Sequence, residues 1–186
     1  MSAIFKIGWV LRYLTYKLLL GSCKGLGYFG KPLFLHNPKN IFVNNNVRIF
    51  PYSRMETHNG GKITFCQDVS IGQSFHIISS RLNLVIGKGT LISGNVFISN
   101  TDHQYENPKT SVAVQPLLSK ETQIGENCFI GYGAVIQAGT LLGNHCIVGA
   151  NSVVRGQFDD FCVLVGAPAK VVKRYCHESS KWIKVN

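Results

Sequence analysis

The stretch IGENCFIGYGAVIQAGTLLGNHCIVGANSVVRG, Ile124 to Gly156, repeats itself every six residues. Ile124, Ile130, Ile136, Leu142, Val148 and Val154 follow one another at that spacing without exception. The next residue is glycine at Gly125, Gly131, Gly143 and Gly149. Four places after the aliphatics come small or compact side chains, Cys128, Ala134, Thr140, Cys146 and Ser152. A period of six is neither the helical period nor the alternation of a plain strand. It fits a short strand and a turn repeated around a prism, with the aliphatic pointing inward and glycine supplying unusual φ at the corners. One such unit buries nothing alone, so the coils must stack in a long series. An antiparallel sandwich, with turn signals roughly every 8–12 residues, does not produce such a run.

Outward from this stretch the beat weakens by degrees. It is clear at Ile86, Ile92 and Ile98, less clean at Phe65, Ile71 and Ile77, and faint at Ile41 and Val47. From Ile98 to Ile124 is 26 residues where six would continue the series, so a loop of residues 99–118 is extruded. Loops of this length inside a compact fold are functional or disordered. This one carries His103 near its start.

The 186 residues suit one domain. Six cysteines, Cys23, Cys66, Cys128, Cys146, Cys162 and Cys176, form no CxxC pair. They read as reduced thiols of a cytoplasmic protein, with Cys128 and Cys146 stacked inside the fold. The net charge of +10 is uneven: no acidic residue precedes Glu56, whereas Lys6, Arg12, Lys17, Lys24, Lys31, Lys39, Arg48 and Arg54 do. Such an arm suits an anionic neighbour or serves solubility. Nucleic acid is disfavoured, since no stacking platform or known module accompanies the charge. Ile4, Ile7, Leu11, Leu14 and Leu18 recur at helical spacing, and Trp9, Val10, Leu19 and Leu20 widen that apolar face. Lys6, Arg12 and Lys17 break it too often for a membrane span or a signal peptide. Residues 1–20 are therefore expected to dock on a partner subunit or to lie on a membrane surface.

The repeat, the histidine loop and the closing GAPAKVVKR, Gly166 to Arg174, resemble the hexapeptide-repeat acetyltransferases of the galactoside, maltose and nodulation-factor group. They also resemble the relatives that acetylate bacterial surface polysaccharides. The resemblance implies an all-β fold, a left-handed parallel β-helix over residues 41–175. Residues 1–40 would form an amphipathic helix and basic linker, and 176–186 a tail. It further implies a homotrimer with acetyl-CoA in a groove between subunits. His103, in the context Asn100-Thr101-Asp102-His103, is the residue it implies as general base, with Asp102 as a candidate to orient the imidazole. A neutral imidazole taking the proton of an attacking hydroxyl typically contributes about 10²–10⁴-fold. Gly131, Tyr132 and Gly133 are where it puts the backbone donor for the developing oxyanion. Gly149 and Ala150 would touch the pantetheine arm, and Arg155, Lys170 and Lys173 the phosphates. Phe129 stands where a tryptophan is common.

Gln73, Ser74 and His76, with Tyr105 and Glu106 of the loop, are the acceptor candidates. Zinc, as in the carbonic anhydrases built on such helices, is not expected, because the six histidines are scattered. The expected activity is transfer of an acetyl group from acetyl-CoA to a sugar hydroxyl in lipopolysaccharide or capsule synthesis. A lipid-linked oligosaccharide acceptor at the inner membrane face fits the basic, amphipathic N-terminus. Two other readings stand beside it: N-acetylation of a nucleotide-linked amino sugar, and a non-catalytic assembly protein.

Overall fold

A computed structural model describes residues 3–185 and, within its N-terminal helix, the side chains from Ile7 onward. Ile4 and Lys6 of the expected helix face lie outside those described side chains. The chain winds into a parallel β-helix whose three faces are sheets of seven, nine and six strands. Each face carries one inward ladder. Val43, Phe65, Ile86, Ile124 and Leu142 stack on the first. Ile49, Ile71, Ile92, Ile130 and Val148 stack on the second, and Met55, Ile77, Ile98, Ile136 and Val154 on the third. All but Leu142, at 3% exposure, are fully buried. The ladder residues of the later coils are those picked out by the six-residue beat. The faint trace needs re-phasing: Val43 and Ile49 are the inner ladder residues, while Val47 stacks at the corner.

The small residue at the fifth position is buried throughout, as the cramped interior requires. Cys128 and Cys146 do stack, each thiol donating to a carbonyl of the following coil, Gly143 O and Asp159 O, both at 3.1 Å. The glycine after each aliphatic has a different cause from the one expected. The left-handed backbone falls two residues later, at Asn127 (φ 53°), Gly133 (φ 68°), His145 (φ 53°) and Asn151 (φ 55°). Asparagine and glycine tolerate that region best. At Gly125 itself, a Cβ would stand 2.5 Å from the carbonyl carbon of Gly143. The glycine is needed because successive coils approach too closely for any side chain.

The first coil begins earlier than residue 41. Ser22–Cys23, Tyr28–Phe29 and Phe34–His36 each pair in parallel with the following coil, so most of the expected basic linker is already wound. Its glycines and prolines hide the beat while letting the backbone close in: a Cβ on Gly30 would lie 2.3 Å from Pro51 N. Helix α1, Ala3–Tyr16, caps this open end. Trp9 meets Tyr28 and Phe50 with ring centroids 5.6 and 5.4 Å away, and Tyr16 meets Phe29 at 4.9 Å. Tyr13 is fully buried and donates its hydroxyl to Lys24 O at 2.8 Å. The helix thus docks on its own chain, through aromatic residues, and not through the leucine face that the spacing singled out. At the other end, Cys162–Gly166, Ala169–Cys176 and Lys181–Lys184 pair antiparallel, so the stack ends in a ribbon that begins inside the expected β-helix domain and takes in the expected tail. No helix of the described residues is long and apolar enough to cross a membrane.

The third face is not uniform. Its strands Arg54–His58 and His76–Ser80 have five residues, against two in Val135–Ile136 and Val153–Val154. Its ladder residues there are 22 and 21 apart, from Met55 to Ile77 and from Ile77 to Ile98, instead of the 18 from Ile136 to Val154. The extra residues broaden the face into a shelf at the edge where the long loop departs.

Candidate active site

The extruded loop is an ordered arm. Thr101–His103 and Leu117–Ser119 pair antiparallel, with His103 opposite Leu117. Asn100 clamps its base. Fully buried, it accepts from the Ser80 N–H at 2.7 Å, donates to Ser79 Oγ at 3.0 Å, and takes the Lys120 N–H on its own carbonyl at 2.8 Å. Ser99 Oγ accepts from the Thr101 N–H at 3.0 Å and donates back to the Thr101 carbonyl at 2.8 Å. At the tip, the Gln115 amide bridges the carbonyls of Asn107 and Thr110 at 3.0 and 3.1 Å.

His103 is exposed and forms part of the wall of two cavities. One, about 410 Å³, is mostly apolar: Ile78, Phe97 and Leu117 line it, with His58, Ser99, Thr101 and Asp102. The other, about 390 Å³, is polar and brings Asp102, His103, Tyr105, Glu106 and Arg155 together with Lys120 and Gln137. No described residue hydrogen bonds the His103 ring, Asp102 beside it included. The arm is held through its backbone and its base, and the imidazole stays exposed.

Glu56 anchors the shelf beneath. It is 7% exposed, and its carboxylate meets Arg54 Nε at 2.5 Å, His76 Nε2 at 3.1 Å and His58 Nε2 at 3.4 Å. The Arg54 hydrogen bond is the main reason its carboxyl is held down to about 2, against the opposing cost of burial. His58 stacks on His36 at 4.6 Å, and His76 stands edge-on to Phe97 at 5.0 Å. His76, an acceptor candidate by sequence, thus hydrogen bonds Glu56 and is absent from the cavity wall, whereas His58, which shares Glu56, lines the apolar cavity with His103. Strand alternation places Arg54, Glu56 and His58 on one side of their strand, which a sequence reading could have used. Asn100 was legible only as part of the histidine context, with nothing to mark it as a buried clamp, and Lys120 carried no signal that distinguishes it from an ordinary loop residue.

The other candidates lie elsewhere on the chain. Gln73 and Ser74, Gly131 to Gly133, and Gly149 with Ala150 form one corner column, at the edge where the third face begins. Gly131 and Gly133 spend their N–H groups on Val148 O and Gly94 O, whereas those of Tyr132 and Ala150 have no partner among the described residues. The Tyr132 hydroxyl meets the Asn95 side chain of the coil above. The arm, Gln137 and Arg155 lie at the opposite edge, where that face ends. One side of the prism, Gly131 to Gln137, separates the two edges, roughly 15–20 Å at about 3 Å per residue. Lys170 and Lys173 are exposed on the closing ribbon, opposite Val165 and Val163. Burial pushes the Cys128 and Cys146 thiols up to about 11 and about 12, so neither is a nucleophile at neutral pH. Among the described residues no group of three His, Cys, Asp or Glu side chains is arranged to hold a metal ion.

A hexapeptide-type β-helix with a histidine arm defines a class, the hexapeptide acyltransferases. The chain belongs to that family. The family described as bacterial transferase hexapeptide (six repeats) matches residues 121–156. WbbJ of Escherichia coli, described as a lipopolysaccharide biosynthesis O-acetyl transferase, is 33% identical over 160 residues, covering 82% of this chain and 81% of that protein. A dTDP-4-amino-4,6-dideoxy-D-glucose acyltransferase of Escherichia coli is 30% identical over 145 residues, covering 72% of this chain and 71% of that protein. Among solved structures, the N-acyltransferase AntD from Bacillus cereus, in complex with dTDP-4-amino-4,6-dideoxyglucose and coenzyme A, superposes with a TM-score of 0.75. It covers 90% of both chains at 19% identity, a likeness of fold. The chain is an acyltransferase.

Proposed function

We propose that this acyltransferase moves an acetyl group from acetyl-CoA to a sugar hydroxyl in the synthesis of a bacterial surface polysaccharide, lipopolysaccharide or capsule. The observation that carries this reading is the position of His103, an exposed imidazole shared by an apolar and a polar cavity. The apolar cavity suits a sugar ring laid against Phe97, Ile78 and Leu117. The polar one, with Arg155 and Lys120, suits the phosphates of the donor, and Lys170 and Lys173 add cations on the closing ribbon. Acetyl-CoA supplies the activated thioester. His103 accepts the hydroxyl proton as the sugar oxygen bonds to the thioester carbon, and returns that proton to the departing sulfur. The uncommitted N–H groups of Tyr132 and Ala150 suit the carbonyl oxygen and the pantetheine amides.

Those N–H groups sit across the third face from His103, which supports a reaction between neighbouring copies, in keeping with a homotrimer. Gln73 and Ser74 belong to the same column and would meet the acceptor from the neighbouring subunit. Tyr105 and Glu106 flank His103 in its own arm, with Asp102 beside the ring. The proposed reaction runs in the cytoplasm at the inner membrane face, where a lipid-linked acceptor would lie.

A second reading, N-acylation of a nucleotide-linked amino sugar, has the 30% identical relative on its side. The test offers acetyl-CoA with free sugars, nucleotide-linked amino sugars and lipid-linked oligosaccharides, and follows acetyl gain by mass spectrometry. An ester that mild alkali removes is expected. Acetylation of amino sugar nucleotides alone, stable to alkali, would overturn the O-transfer reading.

A further inference from the structure

Helix α1 has two apolar faces, and only one is used to cap the prism. Trp9, Tyr13 and Tyr16 turn inward onto the first two coils. On the other side Ile7, Leu11, Leu14 and Leu18 remain 59%, 59%, 43% and 79% exposed. Their helical spacing aligns them as a stripe along α1 and the turn that follows it. Leu26 and Leu33, at corners of the first coil against which α1 packs, are exposed to 70% and 69%. Leucines at this exposure, grouped at one end of the molecule, are more than scattered surface apolar residues.

Lysines dominate the charge around them, with Asp68 held by the Asn46 side chain on the inner side of the Leu26 corner. Lys17, Lys24, Lys31 and Lys39 are exposed on the turn after the helix and on the first coil and its exit. No acidic residue occurs before Glu56. We infer that this capped end docks on an anionic lipid surface, with the leucine stripe entering the acyl boundary and the lysines meeting the headgroups. Apolar burial and cation attraction act together in such contacts, and the second is screened by salt. A second copy of the chain is a poorer occupant, because it would bring the same uncompensated lysines against these. The helix lies on the surface, since no described helix is long enough to cross it. The inference does not depend on which acceptor is acetylated, although it would hold the arm near a lipid-linked one.

The experiment is co-sedimentation of the full chain with vesicles of phosphatidylcholine, with and without about 30 mol% phosphatidylserine. Binding to the anionic vesicles alone is expected, weakening at least about tenfold as salt rises from about 0.1 to 0.5 M. The double variant Leu11→Ser, Leu18→Ser is expected to lose about tenfold or more in vesicle affinity while keeping the thermal transition of the parent. A second variant, Lys24→Gln with Lys31→Gln, leaves the stripe intact and is expected to weaken binding and flatten its salt dependence. Failure to bind the anionic vesicles, equal binding to neutral ones, or unchanged binding by both variants would overturn the inference. A serine variant that falls to a smaller oligomer, with a parent that ignores vesicles, would assign the face to a second copy instead.

Discussion

Replacing Asn100 by alanine tests whether the arm's position is set at its base. The substitution removes the acceptor of the buried Ser80 N–H and the donor to Ser79 Oγ. Leaving one buried backbone donor unpaired costs about 1–3 kcal/mol, and the second bond adds about 1 kcal/mol. A loss of about 2–4 kcal/mol is therefore expected. At about 2–4 °C per kcal/mol for a domain of this size, the midpoint of thermal unfolding should fall by roughly 4–16 °C. Function should suffer separately. His103 stands three residues beyond Asn100, and a misplacement of about 1 Å can cost about 10²-fold. The assays are circular dichroism melting and acetyl transfer measured well below the variant's midpoint, where the protein is still folded. A midpoint within about 1 °C of the parent, with unchanged kcat/KM, would refute the reasoning. It would mean that the hairpin alone holds the arm.

His103→Ala should lower kcat by about 10²–10⁴-fold and leave the melting midpoint nearly unchanged, because the side chain is exposed and unbonded. Full activity in a folded variant would remove His103 from the mechanism. Arg155→Ala should raise KM for acetyl-CoA about tenfold with little change in kcat, as expected for uniform binding of a phosphate; steady-state kinetics separates the two. Glu56 predicts an acid limb in stability. Its carboxyl is depressed from 4.5 to about 2, so its contribution is complete above the unfolded value and is lost as pH falls from about 4.5 towards 2. Arg54 is half-exposed, which reduces the contribution to about 2 kcal/mol. Denaturant titrations from pH 6 to pH 3 should show that loss in the parent and little of it in Glu56→Gln.

Much of the fold could be read directly. The six-residue beat named the inward ladders of the later coils, and the cramped fifth position foretold the stacked Cys128 and Cys146. The gap from Ile98 to Ile124 located the arm. The first coil escaped because Gly21, Gly27 and Gly30 fit the close approach of a neighbouring coil and leave no periodic pattern. Helix α1 was legible as apolar, but not which side it would use. Aromatic rings reach farther than leucines, and Trp9, Tyr13 and Tyr16 fill the open end of the prism while Leu11, Leu14 and Leu18 stay outside.

The site divides in the same way. The strict period was enough to give the register of the later coils, the chemistry on offer and the histidine on the arm, because it settles which residues point inward there and where the pattern must break. Tertiary structure alone decided the company those residues keep. It buried Asn100 as a clamp, drew His76 to Glu56, brought His58 to the cavity, and set Arg155 and Lys120 beside His103. These contacts join residues about 20 to 50 positions apart across stacked coils, and no local spacing in the chain encodes them.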